Sequence, residues 1–150
     1  MTNSTASTDP YWAMKDRIKI LEAMKKFKEV IDVYTKILET LKGKSDRQYL
    51  ITDAYMGRAK IYKENNDLEK ALADYSAVIE SGVTGIEYKV KNAYAARIKI
   101  NTIKGEMDKV SDDHKKMAEL KEDPFLDSFS AVEISKFKII DLKAEGERNV

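Results

Sequence analysis

Cysteine is missing from all 150 residues, which removes disulfides, thiolate nucleophiles, iron–sulfur clusters and cysteine-type zinc sites together. One histidine cannot build a histidine-rich metal site. Six glycines and two prolines are too few for a turn-rich all-β sandwich. Charge of one sign is also lacking: 27 Lys and Arg face 26 Asp and Glu, a net +1 that argues against a dedicated nucleic-acid binder. No apolar run approaches the ~18 residues of a membrane span, so no membrane partner is expected and the cytoplasm is the expected compartment. The stretch Met1 to Pro10 is mostly Ser, Thr, Asn and Ala, without the basic and apolar regions of a secretory leader, and residues 1–9 read as a flexible tail. Asn3-Ser4-Thr5 fits a glycosylation acceptor, a motif that matters only in a secreted protein. What remains is 43% hydrophobic and 35% charged, the balance of one soluble globular domain with a real core.

The chain repeats itself. Arg17-Ile18-Lys19-Ile20, Arg58-Ala59-Lys60-Ile61 and Arg97-Ile98-Lys99-Ile100 are each preceded four residues earlier by Ala13, Ala54 or Ala93, and Lys136-Phe137-Lys138-Ile139 is a fainter fourth copy. Their spacings of 41, 39 and 39 define a unit of about forty residues. Each unit carries two helical stripes. In the second, Tyr55, Ala59 and Tyr62 precede the break at Asn65-Asn66-Asp67, and Leu68, Ala71, Leu72, Tyr75, Val78 and Ile79 follow it. The first has Met14, Ile18 and Leu21, then Phe27, Val30, Tyr34, Ile37 and Leu38; the third has Tyr94 and Ile98, then Met107, Val110 and Met117. Asp67 reads as an N-cap, Gly82 and Gly85 as the following loop, Gly105 as an inner turn, and Asp9-Pro10 and Asp123-Pro124 as helix starts. These signals predict seven helices, about 10–24, 27–42, 46–64, 67–81, 86–104, 106–121 and 124–144. One helix pair cannot bury its own stripe, so stacking must build the core and the last helix must act as a cap.

Residues Ala54-Tyr55, Arg58-Ala59, Tyr62, Asn66-Asp67-Leu68, Ala71-Leu72, Asp74-Tyr75 and Val78-Ile79 resemble the tetratricopeptide repeat, a family whose unit is a pair of antiparallel helices. The resemblance covers roughly residues 11–145 and implies an all-α solenoid of three helix pairs plus a capping helix. Its repeats would lie at about 11–44, 46–85 and 86–122, with the cap at 124–145, one domain over 10–146 and a short tail at 147–150. The other units depart from the pattern: Val30 and Val110 replace a small Ala, Asn101 an aromatic, and His114 takes the slot of Tyr34 and Tyr75. No proline follows Leu38 or Ile79, and the unit exceeds the family's ~34 residues.

Catalytic chemistry finds little support. Gly43-Lys44-Ser45 resembles the end of a P-loop, but Leu38 stands where its first glycine belongs, and a helix end explains the segment better. Asp112-Asp113-His114 resembles an acid–base cluster, yet His114 aligns with a buried aromatic slot and reads as a satisfied core or boundary histidine. Glu64 and Asp67 lie beside a turn with nothing further to make a site. No enzyme activity, cofactor or metal is expected.

Binding is better represented. Lys19, Lys60 and Lys99 share one slot of three first helices, each one step round from the apolar stripe at Ile18, Ala59 or Ile98, and Lys138 matches them in the cap. The resemblance implies that first helices line a concave groove. The candidate groove residues are then Trp12, Lys15, Lys19, Met56, Lys60, Lys63, Asn92, Lys99 and Lys138, flanked by Asp16, Asp53, Gly57, Ala95, Ala96 and Thr102. Gly57 and Ala96 would leave room for a ligand backbone, and Trp12 either anchors a partner or, preferably, covers the first pair. Arg17, Arg58 and Arg97 are expected to bridge neighbouring pairs. Of the carboxylate-holding slots that chaperone-binding members of the family use, only Lys15 is retained. The expected function is therefore a non-catalytic adaptor that binds an acidic peptide or helix along a lysine-lined groove, as monomer or weak dimer. The alternatives are a solvated lysine face on a structural, self-associating module, or a secretion or co-chaperone helper.

Overall fold

A computed structural model of the chain describes residues 9–120. Six α-helices are present among them: α1 Pro10–Ala23, α2 Phe27–Leu41, α3 Gln48–Glu64, α4 Leu68–Ile79, α5 Glu87–Lys104 and α6 Met107–Glu119, with no strand. The periodicity located each of them within three residues. The helix expected from residue 46 begins instead with one 3-10 turn, Ser45–Arg47, a common way to open a helix. The expected seventh helix, its Asp123-Pro124 start, Lys138 and the tails at 1–8 and 147–150 lie outside the described residues.

The helix ends follow from local chemistry. Asp9 caps α1 by accepting the Tyr11 N–H at 3.0 Å and pairs with Arg47 at 2.7 Å, so it belongs to the helix rather than to a tail. That N–H first, then Arg47, hold its carboxyl below the ordinary range. Asp67 accepts the Lys70 N–H at 3.4 Å and caps α4. The three inner turns share one design. Lys25, Asn66 and Gly105 sit at the same point of the repeat with φ of 56°, 60° and 76°. Their N–H groups donate to Glu22, Lys63 and Thr102, and the next N–H in each donates to Leu21, Tyr62 or Asn101. Left-handed backbone of this kind satisfies the last carbonyls of a helix.

Helices α1 to α5 pack in chain order, each on the next. Together with α6 they belong to one compact unit that runs to Ala118. Two apolar clusters hold it. The first joins Ile18 and Leu21 of α1, Val30, Tyr34 and Ile37 of α2, and Ala54 and Ile61 of α3. The second joins Ala59 of α3, Ala71, Tyr75 and Val78 of α4, and Ala93 and Ile100 of α5. Helix α3 therefore buries side chains on two sides, and each large one contributes roughly 1.5–3 kcal/mol.

Equivalent positions fare differently where a neighbour is missing. Ile61 and Ile100 are buried, but Ile20, the same repeat position in α1, is 61% exposed; among the described residues α1 packs chiefly on α2. Trp12 is 53% exposed and rests edge-on against Tyr11, so Tyr11, not Trp12, covers the first pair. His114, aligned with a buried aromatic slot, and Met107, read as part of the apolar stripe, are both exposed on α6; Ile98 is half-buried.

Candidate functional site

The lysine slots of the second and third units meet. Met56, Gly57, Lys60 and Lys63 lie on one face of α3, and Asn92, Ala95, Ala96 and Lys99 on the matching face of α5. Together with Tyr75 of α4 they line one open cavity of about 460 Å³. The 3.6-residue period explains the assembly: positions i, i+3 or i+4 and i+7 share a face, and α3 and α5 are copies of the same helix. Ala59 and Ile61 are buried on either side of Lys60, which leaves its own direction as the solvent-facing one.

Electrostatics make this cavity distinctive. Lys60, Lys63 and Lys99 are exposed, no carboxylate lines the cavity, and none of the three forms an ion pair among the described residues. Their charges therefore add rather than cancel. The walls between them are small, at Ala95 and Ala96, or adaptable, at Met56. Tyr75, which is 3% exposed, closes the base, and burial pushes its phenol pKa up.

Comparison with protein-family models, curated proteins and solved structures returns no match.

The remaining candidates are not brought to this cavity. Lys19 is exposed on α1, and Lys15 lies 5.8 Å from the centre of the Tyr34 ring, half-buried. Trp12 is further along α1, Asp16 and Thr102 are exposed outside the lining, and Lys138 is outside the described residues. Asp53 is paired with Lys89 at 2.6 Å. Gly57 is small for a reason other than ligand access: a Cβ built there falls within the Tyr34 phenol. The expected room for a ligand backbone thus rests on Ala95 and Ala96.

Two groups of functional weight escaped sequence reasoning. Lys89 of α5 is 4% exposed and donates to Thr52 Oγ1 at 2.9 Å while pairing with Asp53, tying α5 to the start of α3. No spacing marks it, because the first unit carries no counterpart. The arginine partners, by contrast, were discoverable. Arg58 donates twice to Asp74, at 2.8 Å each, and reaches Thr35 of α2 at 3.0 Å. Arg97 repeats this, with two bonds to Asp113 and one to Ser76 of α4 at 3.0 Å. Asp74 and Asp113 are each 16 residues from their arginine. Both arginines bridge neighbouring pairs as expected. Arg17 does not: it is exposed, and buried Val33 stands where an aspartate would be.

Asp113 is thereby committed to Arg97, which dissolves the Asp112-Asp113-His114 cluster as an acid–base group. Gly43 turns the chain after α2 with φ of 77°, between two helices rather than after a strand. Among the described residues no group of three or more His, Cys, Asp or Glu is placed to hold a metal ion, and no helix is long and apolar enough to cross a membrane.

Proposed function

We propose that the chain is a non-catalytic interaction module of tetratricopeptide type, three helix pairs stacked as a solenoid, working in the cytoplasm. Its α3–α5 cavity takes an acidic segment of a partner protein. The observation that carries this reading is the convergence of Lys60, Lys63 and Lys99, unpaired among the described residues, on one cavity with small and apolar walls. Such a field raises the encounter rate with an anionic ligand, and the small side chains let a peptide backbone approach. A net charge of only +1 gives the chain as a whole little attraction for a long polyanion, which favours a short acidic segment.

The test is fluorescence anisotropy with labelled acidic peptides, oligo-glutamate and mixed Asp/Glu–apolar sequences, at low and high salt. Lys60→Glu with Lys99→Glu is expected to weaken binding at least about tenfold, the wild-type affinity to fade with salt, and the melting temperature to stay within about 2 °C. Undiminished binding by the double variant refutes the groove. A second reading rests on Trp12 and Ile20 of α1 and Met24 at its C-cap, all more than half exposed: this surface would join two copies of the chain. Concentration-dependent mass in light scattering, lost in Ile20→Lys, separates that reading from the first.

A further inference from the structure

The floor of the Lys60–Lys99 cavity holds a donor that nothing in the fold uses. Tyr75 is 3% exposed, and its hydroxyl makes no hydrogen bond among the described residues. The one side-chain oxygen or nitrogen there that is fully shut in without a partner is Asn101 Oδ1. The Tyr75 oxygen is therefore not shut in, and it reaches the surface of the cavity that the residue lines. Burial first, then Glu64 and Asp74, raise the phenol pKa, so at neutral pH it keeps its proton and presents a donor. Neither carboxylate lines the cavity, and Asp74 is committed to Arg58. A hydroxyl in this position calls for an acceptor inside the cavity.

Internal comparison adds an independent signal. At the repeat spacings of 41 and 39, Lys19 and Lys60 of α1 and α3 recur as Lys60 and Lys99 of α3 and α5. The carboxylates do not recur: Asp16, Glu22 and Asp53 in the first set become Gly57, Lys63 and Asn92 in the second. Between the first and second pairs the lysines are thus mixed with acids, whereas the α3–α5 cavity has three ammoniums and no carboxylate. No arginine lines it either.

We infer that this cavity receives a phosphorylated side chain of the partner segment, one phosphoryl oxygen accepting from the Tyr75 hydroxyl and the others facing Lys60, Lys63 and Lys99. The inference rests on the reading of the cavity as a groove for an acidic segment. Charge and geometry select the group. A carboxylate would match one of the three ammoniums, whereas a phosphomonoester carries about −1.5 to −2 and three terminal oxygens. Without an arginine there is no planar fork for a flat carboxylate, while lysines act as point charges that accept a tetrahedral group equally well. A nucleotide would find no ring face for its base, because Tyr75 is the one aromatic residue lining the cavity and it is buried. Met56, Ala95 and Ala96 instead suit the backbone on either side of a modified residue.

The experiment is fluorescence anisotropy on the full chain with one labelled peptide, uncharged apart from its central residue, which is serine, glutamate or phosphoserine. The phosphoserine form is expected to bind at least about tenfold more tightly than the glutamate form, and the serine form most weakly. Tyr75→Phe keeps the ring and removes the donor, and is expected to weaken the phosphoserine form at least about tenfold. Lys63→Glu, at an exposed position, restores the carboxylate of the first pair and is expected to abolish the preference for phosphoserine. Equal affinity for the glutamate and phosphoserine forms overturns the inference and leaves the acidic-segment reading standing, whereas binding of neither form overturns both. Wild-type binding by folded Tyr75→Phe, or a phosphoserine preference that survives Lys63→Glu, also overturns it. Inorganic phosphate and AMP are expected to displace the peptide only at concentrations at least about tenfold above its Kd. Displacement near that Kd assigns the cavity to a free phosphate compound and overturns the assignment to a partner's side chain.

Discussion

Gly57 lies in the middle of α3, where alanine is ordinarily better than glycine by about 1 kcal/mol. Here the added methyl would fall within the Tyr34 phenol, a buried ring, and overpacking of that kind costs about 1–3 kcal/mol, so the steric effect outweighs the propensity. Gly57→Ala is therefore expected to destabilise the chain in urea unfolding, and to become neutral or stabilising once Tyr34→Leu clears the space. Lys25 presents the opposite case. It holds a left-handed conformation that strains a lysine and suits the glycine found at the equivalent Gly105. Lys25→Gly is expected to raise stability by about 0.5–1 kcal/mol, read as a higher urea midpoint at unchanged slope. Sequence patterning had no means of marking Gly57, since a contact 23 residues away leaves no period, whereas the repeat aligns Lys25 with the inner-turn Gly105.

At the scale of helices, the arginine bridges bind each pair to the one before. Arg58 and Asp74 have side chains 16% and 5% exposed, so removing the arginine alone leaves a buried carboxylate without its partner. Arg58→Ala is expected to cost about 3–5 kcal/mol, whereas Arg17→Ala, at the same repeat position but exposed, should stay within about 0.5 kcal/mol. Arg58→Met combined with Asp74→Leu should recover most of the loss, because a packed apolar pair needs no solvation. Thermal and urea unfolding of the four proteins decides the matter. The helices themselves were readable from apolar spacing and caps. The bridges needed a second reading of the same repeat, since a conserved Arg-to-Asp interval was present but spanned two helices.

Across the whole unit, burial of tyrosine couples both apolar clusters to pH. Desolvation first, with nearby carboxylates adding to it, pushes Tyr34 up to about 12 from 10 and raises Tyr11 and Tyr75 in the same direction. A phenol with a raised folded-state pKa holds its proton in the native state. Its contribution to stability is intact below pH 10 and declines as pH rises from there through about 12. Urea midpoints measured between pH 8 and 11.5 should fall in the alkaline range, and Tyr34→Phe should flatten that decline while leaving the neutral-pH midpoint within about 1 kcal/mol of wild type.

Composition and periodicity by themselves determined that the described residues are helical, where their six helices begin and end to within a few residues, and which lysines recur, because those properties depend on local backbone geometry and on which side chains share a helix face. Tertiary structure decided the rest. Whether Ile20 is core like Ile61, whether Trp12 covers or projects, and whether His114 is buried all depend on the presence of a neighbouring helix, which the repeat alone does not encode. The same holds for the sites. The lysines of α3 and α5 share a cavity only because both helices pack around Tyr75 of α4.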